Sequence, residues 1–141
     1  MKTYDEIVKQ EPVFLNDFDD KEDVLKQFSG ERWSWDDEEE SKFVEENNSC
    51  NIIFASYGNA NYSGGAWVLF EKDGELHEVD GSHCSCYGLE GQWEPEEVSL
   101  DELEHRLLNG TFGEDNWSDN NFKEELCEFL GVEYKKNLER Y

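Results

Sequence analysis

The chain has 141 residues and a mass of 16.5 kDa, which is enough for one compact domain with a buried core. It carries 36 Asp and Glu residues against 12 Lys and Arg residues, which gives a formal net charge of −24. This excess argues against direct binding to nucleic acid or to an anionic membrane surface, because both carry phosphate groups that the protein would repel. Aromatic residues make up 14% of the chain, which is typical of a folded protein rather than a disordered one.

The sequence predicts neither a membrane span nor an export signal. No apolar run approaches the roughly 18 residues that a membrane-spanning helix needs. The first residues also lack the apolar stretch of a secretory signal, so we expect a cytoplasmic protein. In that compartment the four cysteines, Cys50, Cys84, Cys86 and Cys127, are expected as thiols rather than as a disulfide framework. Cys50 and Cys127 lie in apolar patterns that predict burial.

Residues 1–50 form an acidic part that is predicted to be helical, with 16 acids and 6 bases. Val24, Leu25 and Phe28 define a short apolar helix face, which ends where a glycine follows. Residues 36–46 predict an acidic surface helix, because only two large apolar residues occur in this segment.

Residues 51–98 give the clearest β-strand pattern. Short continuous apolar runs at 52–55 and 66–70 are typical of buried strands. The dipeptide Asp73-Gly74 predicts a two-residue hairpin turn, because Asp-Gly readily adopts the positive φ angles that such a turn needs. We therefore predict an antiparallel meander of three strands, at about 51–57, 66–72 and 75–80, followed by a loop that contains the close pair of cysteines.

Residues 99–141 are predicted to hold two amphipathic helices. Ser99 and Glu102 form a capping box, which marks the start of a helix that ends at Asn109-Gly110. The second helix is predicted from about Asn120 to Leu130. The predicted fold class is α+β, a single domain in which a three-stranded antiparallel meander is covered on its one apolar face by amphipathic helices.

The loop after the third strand offers one alternative site. His77, His83, Cys84 and Cys86 make a His₂Cys₂ ligand count that suits tetrahedral zinc, but the single residue between the cysteines is too short for the usual spacing. A cysteine nucleophile is also possible in principle, yet it needs a cationic neighbour to lower the thiol pKa, and residues 51–98 hold one lysine among nine acids. The simpler interpretation is an ordered loop packed by Tyr87 and Trp93.

Other catalytic and cofactor motifs are not present in the sequence. The acidic run at 17–23 has Lys21 and Glu22 at the fifth and sixth positions, where a calcium loop needs an oxygen ligand and a glycine. Carboxylates occur in pairs throughout the chain, so no pair identifies itself as an acid and base. We therefore predict no catalytic residue, no cofactor and no enzyme activity.

The charge itself, with nearby aromatic residues, is the feature that predicts a function. Carboxylates three to four residues apart on a helix lie about 5–6 Å from each other, a spacing comparable to that of backbone phosphates. A basic nucleic-acid-binding groove would be attracted to such a row and associate quickly with it. Tryptophan side chains beside the row would supply apolar anchors. The predicted contact residues are Trp33, Trp35, Asp36, Asp37, Glu38, Glu39, Glu45 and Glu46.

The segment from Ala66 to Leu107, with its Asp73-Gly74 turn and its His83-Cys84-Ser85-Cys86 loop, resembles a family of small acidic proteins encoded by bacteriophages and prophages. That family has no assigned activity, so the resemblance implies a setting and no site residues. It implies a protein in the cytoplasm of a host cell, where small acidic phage proteins often inhibit restriction enzymes, nucleases or CRISPR effectors.

The sequence thus predicts a non-enzymatic, acidic phage-type protein that inhibits a basic nucleic-acid-binding host protein, with nucleic-acid mimicry as the suggested means. Two alternatives stay open, a metal- or thiol-dependent protein that uses the cysteine loop and a structural phage protein that forms oligomers through its aromatic residues.

Overall fold

A five-stranded mixed β-sheet with five helices forms the structure. The computed structural model describes residues 1–29, 37–60, 63–84, 88–114 and 120–134. The strands lie side by side in the order of the chain. The elements are α1 (Tyr4–Lys9), β1 (Val13–Asn16), α2 (Lys21–Phe28), α3 (Asp37–Glu46), β2 (Asn51–Ala60), β3 (Ser63–Lys72), β4 (Glu75–His83), β5 (Glu96–Glu97), α4 (Leu100–Asn109) and α5 (Lys123–Leu130).

The α+β class is confirmed, and β2, β3 and β4 form the predicted antiparallel meander. Each strand is longer than predicted, because the polar and glycine-rich ends of β2 and β3 continue the ladder to Ala60 and Ser63. The hairpin turn between β3 and β4 has positive φ angles at Asp73 (55°) and Gly74 (81°), as the dipeptide predicts.

The meander is not the whole sheet, and the helical prediction for residues 1–50 was wrong at one place. Val13–Asn16 forms β1, which pairs in parallel with β2. This strand is only four residues long, and such a short apolar run has no periodicity that separates strand from helix. At the other edge, β5 adds two residues beside His77 and Glu78.

Both faces of the sheet are buried, which corrects the prediction of one apolar face. Trp67 and Leu69 on β3 point to a first layer that α1, α4 and α5 cover. Val68 and Phe70 alternate with them and point to a second layer, where α2 and α3 pack. This explains why the apolar runs of β2 and β3 are continuous rather than alternating.

A β-bulge in β2 strengthens the first layer. The register with β3 shifts between Ile52 and Phe54, so that Ile53 and Phe54 both enter the first layer. Beyond the bulge the alternation resumes, and Ala55 returns to the second layer.

The C-terminal helices follow their predicted caps with one adjustment. The Ser99 hydroxyl accepts a hydrogen bond from the Glu102 amide at 3.1 Å, which caps α4. Helix α5 begins at Lys123, later than predicted, because the amides of Phe122 and Lys123 both donate to the Gly113 carbonyl. It ends at Gly131 with a φ of 77°. Within the described ranges, no helix combines the length and the apolarity that crossing a bilayer requires.

Candidate binding interface

Helix α3 lies on the outside of the second layer and presents one face to solvent. Phe43 and Val44 are half-buried against that layer, and Phe43 meets the ring of Trp93 at 6.0 Å in an edge-on contact. The helix therefore packs through one narrow stripe, and its remaining circumference faces water.

Four of the predicted contact residues are brought together on this exposed face. Glu38 and Glu45 are seven residues apart, as are Glu39 and Glu46, so each pair lies nearly in line along the helix at a spacing of about 10.5 Å. All four side chains are exposed. We call Glu38, Glu39, Glu45 and Glu46 the α3 acidic face.

Among the described residues, two lysines lie on or beside this face. Lys42 lies between the two pairs, but its ammonium is 3.9 Å from Glu46 Oε1 and both side chains are well exposed, so the pair is weak. On the neighbouring α2, Lys26 is held by Glu22 at 3.0 Å. The hydrogen bond to Glu22 raises the pKa of Lys26, so this ammonium stays charged and committed to its own helix.

Other cations in the described part of the chain are also engaged within the fold. Lys21 donates to the Asn48 carbonyl at 2.6 Å, and Lys2 donates to Gln10 Oε1 at 2.6 Å. Lys123 is buried, where it lies 3.6 Å from Glu114 Oε2 and donates to the Gly110 carbonyl at 3.1 Å. These three lysines therefore make their contacts within the fold rather than with the α3 acidic face.

Three of the predicted contact residues, Trp33, Trp35 and Asp36, lie outside the described residues. Asp37 begins α3. The apolar anchor of the predicted interface therefore stays a prediction. Trp93, another tryptophan flanked by acids, packs inside the fold, where it stacks on Phe70 at 5.5 Å and meets Phe28 edge-on at 5.2 Å.

The alternative zinc ligands are not brought together. His77 and His83 lie on the same strand six residues apart, which separates them by about 20 Å along β4. The His77 ring stacks on Phe70 at 5.1 Å, and His83 Nδ1 is 2.7 Å from the Tyr57 hydroxyl. Cys84 is half-buried, whereas Cys86 lies outside the described residues. In the described part of the chain, no three His, Cys, Asp or Glu side chains converge into a metal site.

The chain that follows this loop is tied to the sheet, whereas Tyr87 lies outside the described residues, so the interpretation of an ordered loop stays a prediction. Gln92 Oε1 accepts a hydrogen bond from the Ser82 amide at 2.9 Å, and Gln92 Nε2 donates to the Ser82 and Gly88 carbonyls at 2.7 Å each. Leu89 is buried in the second layer, where the absence of a side chain at Gly81 leaves room for it.

A buried ion pair beneath α4 was missed by the sequence analysis. The Arg106 guanidinium donates to both oxygens of Glu78, at 2.9 and 2.7 Å, and Trp67 Nε1 donates to Glu78 Oε1 at 3.1 Å. Burial raises the pKa of Glu78, but these hydrogen bonds outweigh it and hold the pKa below its usual range. The only sequence signal was a charged residue inside an alternating strand, which is also typical of a solvent-facing position.

Comparison of the chain with protein-family models, with curated proteins and with solved structures finds no match. The resemblance of 66–107 to phage proteins therefore stays a prediction.

Proposed function

We propose that the protein is a non-enzymatic, acidic binding protein of the phage type that inhibits a basic nucleic-acid-binding host protein in the host cytoplasm. The α3 acidic face is the part of the surface that meets the partner, and Trp33 or Trp35 supplies the apolar anchor. The partner class comprises restriction enzymes, nucleases and CRISPR effectors.

One observation carries this proposal, the arrangement of four exposed carboxylates in two rows on a single helix face. A helix is a rigid element, so it holds the backbone positions of these charges at fixed spacings, and binding does not have to order the backbone that carries them. A groove lined by Lys and Arg side chains that normally meets two rows of phosphates would find two rows of negative charge there, with about 10.5 Å between the carboxylates of a row, which is wider than the roughly 5–6 Å of residues three to four apart. Electrostatic attraction of this kind raises the rate of association most strongly, and it weakens as salt is added.

The test is affinity capture from a nuclease-treated bacterial lysate, with elution in salt steps and identification of the captured proteins by mass spectrometry. The test variant replaces Glu38, Glu39, Glu45 and Glu46 by glutamine. The matched control replaces four exposed glutamates on and after α5, on the other side of the sheet, namely Glu124, Glu125, Glu128 and Glu133. Both variants have the same net charge, so a difference between them reports on position rather than on total charge.

We expect the wild type and the control to retain a basic nucleic-acid-binding protein that duplex DNA displaces in competition. Four exposed contacts at about 0.5 kcal/mol each contribute about 2 kcal/mol, so the α3 variant is expected to bind about 30-fold more weakly. Equal retention by the two variants would show that α3 is not the interface. Capture of proteins that have no basic nucleic-acid-binding surface would contradict the proposed partner class.

The oligomer alternative predicts a solution mass that is a multiple of 16.5 kDa. Sedimentation equilibrium at physiological salt separates it from the binding-protein proposal, which needs no self-association.

A further inference from the structure

A cleft on the first layer of the sheet, opposite to α3, has features of a binding site that the α3 proposal does not use. Its volume is about 310 Å³, and it is lined by 64–67 of β3, by 80–82 of β4, and by Phe112, Asn120 and Phe122. This is near the lower limit of ligand pockets, a size that suits one side chain.

The charged group in the described lining of the cleft is the exposed Asp80 carboxylate, which makes no hydrogen bond or ion pair with any other described residue. Glu78 lies two positions earlier on the same face of β4, but there the carboxylate is held by Arg106. Asp80 keeps contact with solvent, yet partial loss of its hydration raises the pKa of its carboxyl. The charges of Glu78 and Glu96 raise this pKa further, whereas Arg106 lowers it.

The wall of the cleft is aromatic. Trp67 stacks on Phe122 with ring centroids 5.1 Å apart and an interplanar angle of 5°, and Phe112 meets these rings edge-on at 5.2 and 5.5 Å. Phe112 already contacts one guanidinium, because the Cζ atom of Arg106 lies 5.3 Å from its ring centroid. Trp67 and Phe122 are buried and lie behind the cleft, so the half-buried Phe112 is the ring of this group that a planar cation would meet.

These features select a cation of a particular kind. An anion would be repelled by Asp80 and by its acidic neighbours, and an uncharged apolar group would leave the carboxylate desolvated without a partner. A guanidinium offers a fork of N–H donors for the carboxylate, and it is more weakly hydrated than an ammonium, so it loses less when it lies beside apolar rings. Arg106 does not itself occupy the cleft, because it is bound to Glu78 and to Glu102 at 3.0 Å.

We propose that this Asp80 cleft binds the guanidinium group of an arginine side chain presented by a partner polypeptide, with Asp80 as its hydrogen-bond acceptor. The proposal stands independently of the α3 acidic face, because the two surfaces lie on opposite sides of the sheet.

The experiment uses the full chain labelled with ¹⁵N and follows the amide signals of Gly65, Gly81 and Ser82 by NMR. The probe is N-acetyl-arginine amide, and N-acetyl-citrulline amide is the uncharged ligand of the same shape. N-acetyl-lysine amide tests whether an ammonium serves as well. We expect saturable shifts at the three amides with the arginine probe, with a Kd of the order of 1 mM, and no saturation with citrulline.

Two variants of equal net charge give the control. Asp80→Asn removes the acceptor charge and is expected to weaken arginine binding about tenfold. Asp19→Asn removes an exposed carboxylate beside α2, on the other side of the sheet, and is expected to leave the Kd unchanged. Because the fold disfavours the ionised form of Asp80, Asp80→Asn is also expected to fold at least as stably as the wild type at pH 7.

The proposal is overturned if the cleft amides do not saturate with the arginine probe, or if citrulline or lysine binds equally well. Equal weakening by the two variants would also overturn it, since that result reports only general attraction of a cation to an acidic protein. These outcomes are independent of the α3 experiment, because no partner protein is used.

Discussion

Replacing Arg106 by methionine removes the cation that neutralises the buried carboxylate of Glu78. Only 8% of the Glu78 side chain is exposed, and the guanidinium binds both of its oxygens. Methionine keeps an unbranched chain that packs against Phe112, so the change removes charge and hydrogen bonds while most of the apolar contact remains.

Removing one member of a buried ion pair destabilises a protein by about 3–5 kcal/mol, because the other charge is left without a partner. Here Trp67 still donates its hydrogen bond to Glu78, and the Arg106 side chain is 29% exposed. The free energy of unfolding is therefore expected to fall by about 3 kcal/mol, at the lower end of that range. The control is Lys26→Met, which breaks the Lys26–Glu22 pair at 3.0 Å with side chains 49% and 65% exposed. Both variants lose one positive charge, and the control is expected to change the free energy of unfolding far less, because water screens this exposed pair.

The loss in the Arg106 variant must depend on pH. In the wild type the folded-state pKa of Glu78 is lowered, so its stabilising effect is present above the pKa of an unfolded glutamate and is lost as pH falls through the folded-state value. In the variant, burial without the guanidinium raises the folded-state pKa, so protonation of Glu78 at lower pH relieves the cost. The difference between wild type and variant is therefore expected to narrow from pH 7 to pH 5.

Urea unfolding followed by tryptophan fluorescence measures both effects. With a slope of about 2 kcal/mol per molar urea, the unfolding midpoint is expected to fall by about 1.5 M in the Arg106 variant and to change much less in the Lys26 variant. Equal shifts in the two variants would refute the reasoning, as would a difference from wild type that is the same at pH 7 and at pH 5.

Two further predictions concern the helix cap and the buried thiols. Ser99→Ala removes the hydrogen-bond acceptor for the Glu102 amide at the start of α4. The free energy of unfolding is expected to fall by about 1 kcal/mol, measured as a shift of the urea midpoint. An unchanged midpoint would show that water replaces the cap without cost. Burial raises the pKa of the Cys50 and Cys127 thiols, so both are expected to react with a disulfide reagent at pH 8 far more slowly in the native protein than in urea. Rapid native labelling at either position, located by peptide mass spectrometry, would contradict their burial.

The local features of the fold were predictable because their signals lie within a few residues. The Asp73-Gly74 turn depends on positive φ angles that these two residues adopt readily, and the Ser99 cap depends on a side chain that accepts a hydrogen bond from an amide three residues later; both are confirmed. The parallel pairing of β1 has no such signal, since the partner residues Val13 and Phe54 are far apart in the chain. The second apolar layer was missed for a related reason, because helices that precede the sheet in sequence pack on the face that was predicted to be open.

The same distinction applies to the two candidate sites. Glu38, Glu39, Glu45 and Glu46 share one face because of helical periodicity, which the sequence displays directly. The Asp80 cleft depends on Phe112 and Asn120 meeting two strands from elsewhere in the chain, and no local pattern predicts that meeting.

The hydrogen bonds of Gln92 have a consequence for how copies of this protein meet each other. Beyond the short β5, the peptide groups at the outer edge of β4 would be able to pair with a strand of another molecule, which is a common route to aggregation. Gln92 occupies both the amide and the carbonyl of Ser82, so that a side-chain amide takes the place of the peptide group of a neighbouring strand. A second chain has to displace Gln92 before it can extend the sheet past Ser82. Gln92 thus occupies the backbone groups at which a sixth strand would begin to pair.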